Sequence, residues 1–282
     1  MKKTWKAIAL AGLMSFGTVG CEPEPTSNTE AKTEGNTAVA ATEATKQGET
    51  KSEPTKESPT TKASQTQATK ETEGGLAGNI EDFEFSNTEL TRYKGEDETV
   101  VIPDGVTDIG SFAFIRKSKV TSVIIPNSVT AISSSAFQEC SSLDNVVIPD
   151  SVTKINHEAF TWCTSLKTIV IPDSVKEIGS EAFFGCTALT SFKIPNSITC
   201  IEKGLFYGCS ALNEIEIPAN VTKIGEEAFS GCIALTGLEL PAGVAEIGKD
   251  AFAGCSNLTV IVTAGSYAEQ YCKDNGVKYT TK

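Results

Sequence analysis

Across most of the chain, apolar and polar positions repeat with a fixed interval of 23 residues. The stretch IPDSVTKINHEAFTWCTSL begins at Ile148, and the same skeleton returns as IPDSVKEIGSEAFFGCTAL from Ile171. A proline marks one position in seven successive copies: Pro103, Pro126, Pro149, Pro172, Pro195, Pro218 and Pro241. A constant period of this length is typical of a solenoid, in which each copy forms one coil that packs against its neighbours. An insertion would move one coil out of register with the next, so the copies keep one length.

Within one coil, the pattern predicts short extended segments joined by tight turns. In LKTIVIP, the apolar residues Leu166, Ile169 and Ile171 fall on one side. Thr168 and Val170 fall on the other side, and this alternation is typical of a β-strand. The proline ends the strand because it has no N–H to donate to a neighbour, and the dipeptide DS then turns the chain. The segment VKEIG predicts a second extended segment, and SEAFFGC predicts a tight turn or a single helical turn. We interpret the glycines of the recurring Ile-Gly and Gly-Cys dipeptides as turn glycines.

One phenylalanine in each coil is expected to fill the interior as part of a stacked column. The predicted column consists of Phe114, Phe137, Phe160, Phe183, Phe206, Phe229 and Phe252. The two ends of such a stack must be closed. We predict an N-terminal cap in residues 76–102, seven repeats in residues 103–263, and a C-terminal cap made of a helix and a strand in residues 264–282. The predicted fold class is an α/β solenoid of stacked 23-residue coils with parallel β-strands.

The repeat resembles the leucine-rich repeats of the Treponema pallidum type, also called the BspA-like family. The family motif is Leu-x-x-Ile-x-Ile-Pro, then Val-x-x-Ile-Gly, then Ala-Phe-x-x-Cys, and it matches residues 97–263. The segment GSYAEQYCKDNG is similar to the family's C-terminal segment. The resemblance implies a leucine-rich-repeat solenoid on a bacterial surface, with a protein partner from host extracellular matrix or from another cell surface. It transfers no individual site residue, because family members bind through extended surfaces.

The first 75 residues predict export and anchoring. The basic start MKKTWK and the apolar stretch AIALAGLMSFGTV are together typical of a signal peptide over residues 1–20. Gly20-Cys21 resembles the bacterial lipoprotein cleavage box, in which the cysteine is lipidated. Thr18 departs from that box, because leucine is typical at its position. The alternative is an ordinary signal peptide with a chance cysteine. Residues 21–75 then hold the lipidated Cys21 and a Thr/Glu/Lys/Pro-rich tether that is too poor in large apolar residues to fold. The predicted location is the bacterial cell envelope, lipid-anchored at the outer membrane or cell surface.

Charge and candidate chemistry exclude several classes of function. The formal net charge of −12 repels phosphate backbones, so we expect no nucleic-acid partner. His157 is the one histidine, and its variable repeat position favours a solvated surface residue. The sequence shows no nucleophile–base pair, Gly-rich phosphate loop or paired metal-ligand spacing. We therefore expect no enzyme, no small-molecule substrate, no cofactor and no metal.

Cysteine occupies one repeat position in six coils. These residues are Cys140, Cys163, Cys186, Cys209, Cys232 and Cys255. A disulfide between adjacent coils is geometrically conceivable, and export would permit one. Cysteine is also a small residue that fills tight buried corners, and nothing in the sequence pairs the six off. We interpret them as buried free thiols.

The outward positions of the predicted strands form a candidate protein-binding surface. The residue two before each proline position is expected to face solvent, and the first four are β-branched: Val101, Ile124, Val147 and Val170. The series continues with Lys193, Glu216, Glu239 and then Val262. Contiguous exposed apolar surface often marks an interaction site, although β-branched residues also favour strands for packing reasons alone. Trp162 replaces a glycine in the turn of one coil, either as an aromatic anchor or as packing against the neighbouring coil.

Together these features predict a cell-surface lipoprotein whose solenoid binds a macromolecule, in adhesion to host matrix or to other cells. The alternative is a periplasm-facing scaffold that binds another bacterial envelope protein. Both hypotheses use the same fold and the same anchor, so only the location of the solenoid separates them.

Overall fold

The computed structural model describes residues 79–282. The predicted signal peptide, Cys21, the tether and the start of the predicted N-terminal cap lie outside the described residues. Within them the chain forms a β-solenoid of about eight stacked coils, with parallel strands and little helix. The predicted solenoid is confirmed.

The coils are built from very short strands. The elements are a 3-10 helix (Ile80–Asp82), β1 (Phe83–Ser86), β2 (Glu89–Tyr93), β3 (Thr99–Val101), β4 (Asp108–Ile109), β5 (Ser122–Ile124), β6 (Ala131–Ile132), β7 (Asn145–Val147), β8 (Lys154–Ile155), β9 (Glu177–Ile178), β10 (Ser191–Lys193), β11 (Cys200–Ile201), β12 (Glu214–Glu216), β13 (Lys223–Ile224), β14 (Gly237–Glu239), β15 (Glu246–Ile247), β16 (Thr259–Val262), α1 (Tyr267–Asn275) and β17 (Tyr279–Thr281).

Two rows of parallel strands run along the solenoid. We call the first row the strand face. It contains β3-β5-β7, then β10-β12, then β14-β16-β17. Between β7 and β10, the fourth coil contributes no strand to this row and pairs only through a single bridge from Val170 to Val147. The second row contains β2-β4-β6-β8-β9 and then β11-β13-β15. Strand β1 pairs antiparallel with β2, so a hairpin begins the second row. Paired residues in regular coils lie one repeat apart, as Ile132 does from Ile155, because each coil repeats the backbone path of its neighbour.

A column of aromatic rings fills the solenoid. All seven phenylalanines named above are buried, and successive rings are nearly parallel with centroids 4.9–6.1 Å apart. The column extends beyond the repeats at both ends: Tyr93 stacks on Phe114, and Tyr271 packs edge-on against Phe252. One continuous core therefore connects the N-terminal hairpin to the C-terminal helix.

Each repeat cysteine connects its coil to the preceding one. The thiol of Cys163 donates a hydrogen bond to the carbonyl of Phe137 at 3.2 Å, and the equivalent contact occurs at the other five cysteines. All six are free thiols, buried apart from the half-buried Cys255. Burial raises the pKa of the Cys140 and Cys186 thiols to about 12, so they are protonated donors at neutral pH. The cysteine is thus a small side chain that also satisfies a buried carbonyl.

The Ile-Gly glycines serve close approach between coils, which corrects their interpretation as turn glycines. A Cβ at Gly179 would lie 2.5 Å from the backbone nitrogen of His157 in the preceding coil. A Cβ at Gly225 would lie equally close to the backbone nitrogen of Lys203. Neither glycine has a positive φ, whereas the Gly-Cys glycine Gly185 has a φ of 68° and does turn the chain.

The last coil is one residue out of the predicted register. Strand β14 pairs with β16 so that Glu239 lies opposite Ile261, not Val262. Val262 is fully buried, and the expectation that it faces outward is wrong. The physical reason is that Val260, Ile261 and Val262 are all apolar, so the pattern does not select a register. The fold buries the two valines that flank Ile261.

A helix and a strand close the C-terminal end. Helix α1 begins after Ser266, whose side chain accepts a hydrogen bond from the N–H of Glu269, and the Glu269 carboxylate accepts from Gly265 at 2.7 Å. It ends at Gly276 in the left-handed region, with φ 65°. Its buried face includes Tyr271, and β17 adds a final strand to the strand face. Among residues 79–282, no helix has the length and apolar character needed to cross a bilayer.

Candidate binding surface

The strand face carries an exposed apolar stripe. We use this name for Val101, Ile124, Val147 and Val170. Ladder pairing places these four side chains directly opposite one another. Val101 is half-buried, and the exposed fraction then rises from 44% at Ile124 to 55% at Val147 and 70% at Val170. At about 4.8 Å per strand, the stripe is roughly 15 Å long.

The pleat of the strands explains why these aliphatic side chains are exposed. Their neighbours Val123 and Val146 point into the core and are buried, so the alternate positions must point to solvent. The stripe stops where the outward positions become charged and exposed: Lys193, Glu216 and Glu239. The stripe position is therefore apolar in four successive coils and charged in the next three.

A second exposed feature is a row of aromatic side chains on the turn segments. Trp162 is 46% exposed and meets Phe184 edge-on, with ring centroids 5.4 Å apart. Phe184 in turn stacks flat on Tyr207 at 4.6 Å. The Trp162 ring also covers Gly185, where an added Cβ would lie 2.6 Å from a ring carbon. Trp162 thus packs against the neighbouring coil while leaving about half of its surface in solvent.

The backbone of Trp162 occupies a conformation that favours glycine. Its φ is 60°, and the equivalent residues Gly185, Gly208 and Gly231 also have positive φ. The sequence interpretation missed Phe184, although aromatic residues at one repeat position in two successive coils, Phe184 and Tyr207, were the available signal.

His157 is exposed at the surface and also belongs to a polar cluster. Its Nδ1 is 2.8 Å from the carbonyl oxygen of Ser180, and its Nε2 is 3.3 Å from Oε1 of Glu158. Oε2 of Glu158 accepts a hydrogen bond from the Ser135 hydroxyl at 3.0 Å. Glu181 completes the cluster from the following coil. The sequence interpretation did not find this group, although Glu158 and Glu181 lie one repeat apart and that spacing was the available signal.

The cluster changes the acid–base behaviour of its members. The hydrogen bond with Glu158 raises the pKa of His157, and the same bond lowers the pKa of the Glu158 carboxyl. Burial raises the pKa of the Glu181 carboxyl. Two half-buried carboxylates and one exposed imidazole therefore lie together at the surface of the solenoid.

The comparisons with known proteins agree with this geometry. A family model described as the BspA type leucine rich repeat region, in six copies, matches residues 78–209 and 176–272. No curated protein matches the chain significantly.

Two solved structures are similar over most of the described residues. The crystal structure of a leucine-rich repeat protein from T. pallidum is 28% identical, with a TM-score of 0.62, over 73% of this chain and 98% of that one. A leucine rich cell surface protein from Faecalibacterium prausnitzii A2-165 is 38% identical, with a TM-score of 0.60, over 67% of this chain and 55% of that one. The chain thus spans about half the length of the second protein.

Proposed function

Since this chain belongs to the BspA-type leucine-rich-repeat family, we propose that it is a bacterial surface lipoprotein whose apolar stripe binds a protein partner. The partner is a component of host extracellular matrix or a protein on another cell, and the contact serves adhesion. The proposed role is binding rather than catalysis. The F. prausnitzii relative, described as a cell surface protein, supports the location.

The proposed anchor is a lipid on Cys21, exposed after removal of a signal peptide that spans residues 1–20. Residues 21–75 then act as the tether. A flexible chain of that length has a root-mean-square reach of about 40 Å by random-coil scaling, so the solenoid would stand clear of the membrane surface. Many copies on one surface would raise a modest affinity per copy into firm attachment.

The observation that carries the proposal is the apolar stripe. Ile124, Val147 and Val170 place three β-branched side chains in one exposed line. Burying a fully exposed side chain of this kind is worth roughly 1.5–3 kcal/mol, and these three still expose 44–70% of their surface, so a partner would gain about half of that value at each. Parallel pairing holds its backbone in place, so it would require little reordering on binding.

Replacing Val147 and Val170 together by lysine is expected to weaken partner binding at least tenfold. Two charges would then have to be desolvated in the interface, whereas folding should change by only about 0.5 kcal/mol because both side chains point outward. Binding of the chain to surfaces coated with collagen, laminin or fibronectin, measured by interferometry, reports the affinity.

Glu216→Lys is the matched control for this double variant. It lies in the same outward series and changes the net charge by the same amount, but it lies outside the stripe. Equal losses in the two variants would attribute the effect to charge alone and remove the stripe from the proposal.

Protease treatment of intact cells tests the location. We expect the solenoid to be digested from outside, while a periplasmic marker protein stays protected. Protection of the solenoid until the envelope is opened would contradict surface display, and it would favour the periplasm-facing scaffold that binds another envelope protein.

A further inference from the structure

The polar cluster around His157 presents three metal-ligating side chains to one point. His157, Glu158 and Glu181 each offer one ligand atom, and these atoms lie within 4.8 Å of one another. Two of the ligands come from one coil and the third from the next, one repeat after Glu158. Stacking of the two coils therefore assembles the group.

Hydrogen bonding holds the ring of His157 with Nε2 facing the cluster. Nδ1 lies 2.8 Å from the carbonyl oxygen of Ser180 and 2.9 Å from the Ser180 hydroxyl oxygen, and both contacts keep that side of the ring turned away from the cluster. Nε2 points the other way and lies 3.3 Å from a carboxylate oxygen of Glu158. The protonated ring donates from Nε2 to this carboxylate, and a metal ion can take the place of that proton between the nitrogen and the carboxylate oxygens.

Outer contacts hold the ligands in the orientation that metal sites use. A backbone carbonyl that accepts from the non-coordinating nitrogen is the usual support for a metal-binding histidine. The Ser135 hydroxyl holds Oε2 of Glu158 at 3.0 Å and leaves Oε1 directed towards the imidazole. Ser135 is itself buried at 2% exposure, so its position is fixed by the preceding coil.

We propose that His157, Glu158 and Glu181 bind a divalent transition-metal ion of the zinc class, with water in the remaining coordination positions. One imidazole nitrogen and two carboxylate oxygens form a ligand set that suits zinc, whereas calcium and magnesium prefer oxygen ligands alone. Ligand distances of about 2.0–2.2 Å require the three side chains to close slightly on the ion. The ion would join two adjacent coils across the turn segment, at a site separate from the apolar stripe.

The single histidine allows a direct test. In the untagged chain, the carbon-bound imidazole protons of His157 are the sole histidine signals in the NMR spectrum, since the sequence holds one histidine. We expect titration with zinc chloride to shift these signals in a saturable manner at one equivalent. We also expect zinc at one equivalent to raise the melting temperature through binding to the folded state, by an amount that binding to the cysteines of the unfolded chain reduces.

Single substitutions distinguish zinc binding at this site from zinc binding elsewhere in the chain. Glu181→Gln should weaken zinc binding roughly tenfold or more, and His157→Ala should abolish the zinc-dependent rise in melting temperature. Glu227→Gln is the matched control, because Glu227 holds the same repeat position as Glu181 two coils further on and has no histidine beside it. It should bind zinc as the parent chain does.

Three results would overturn the proposal. The first is an unshifted His157 signal at a large excess of zinc, which would mean that a proton alone fills the cluster. The second is unchanged zinc affinity in Glu181→Gln with its fold intact. The third is binding that survives His157→Ala and gives thiolate charge-transfer bands with cobalt(II), which would place the ion on cysteines.

Discussion

Phe183→Ala is expected to lower the free energy of unfolding by about 3–5 kcal/mol, the usual cost of removing a buried phenylalanine. Phe183 is fully buried at the centre of the aromatic column. Its ring lies 5.5 Å from Phe160 and 6.1 Å from Phe206, and Phe192 meets it edge-on at 4.9 Å. Removal leaves a cavity between coils, and the coils cannot close it because backbone hydrogen bonds fix their spacing. Urea unfolding followed by circular dichroism measures the loss.

The adjacent residue provides the control for this substitution. Phe184 is the same amino acid one position later, but it is half-buried on the surface and stacks on Tyr207. Phe184→Ala should therefore cost about 1 kcal/mol, the order of a surface aromatic pair. Equal costs for the two variants would show that the column contributes no more than surface packing does.

Deletion of residues 264–282 is expected to make the solenoid aggregate. Helix α1 and β17 cover the end of the stack: Tyr271 closes the aromatic column over Phe252, and β17 pairs with β16. Without them, the apolar strand that contains Val260 and Val262 becomes an open edge, which is a template for pairing with other chains. Size-exclusion chromatography with light scattering measures the change.

Tyr271→Phe is a suitable control for the deletion. It keeps the ring that covers the column and removes only the hydrogen bond from the tyrosine hydroxyl to the carbonyl of Gly248, at 3.1 Å. Such a bond contributes about 1 kcal/mol, so the variant should elute as the parent chain does. If the deleted chain also eluted as the parent chain does, the cap would not be what protects the strand edge.

The repeat period made the path of one coil predictable, because each position recurs often enough for burial to be read from residue type. Phe160 and Cys163 illustrate this, since their buried environments repeat along the stack. Features that arise once were harder to predict. The register of Val262 was wrong because three adjacent residues are apolar. The cluster at His157 was missed although Glu158 and Glu181 lie one repeat apart, because only the structure shows that their carboxylates and the His157 ring turn towards one another.

The role of the Ile-Gly glycines shows a different limit of sequence reasoning. Glycine has two physical uses, a left-handed backbone and the absence of a side chain, and the sequence does not distinguish them. Gly179 uses the second, because the preceding coil lies where its Cβ would be. Only a structure that places both coils can make that assignment.

The pairing of residues one repeat apart also has a consequence for how the molecule can change length. Excision of residues 149–171 would bring Ile148 next to Pro172, the same local sequence that Ile171 already has with Pro172. Each remaining coil would find the same carbonyls, the same rings and the same thiol contacts in its new neighbour. The solenoid can therefore lose or gain length in whole 23-residue units while both end structures are kept. Removing this particular unit would take away Val170 and shorten the apolar stripe by one position. The length of the stripe that is available to a partner therefore changes in fixed steps of one coil.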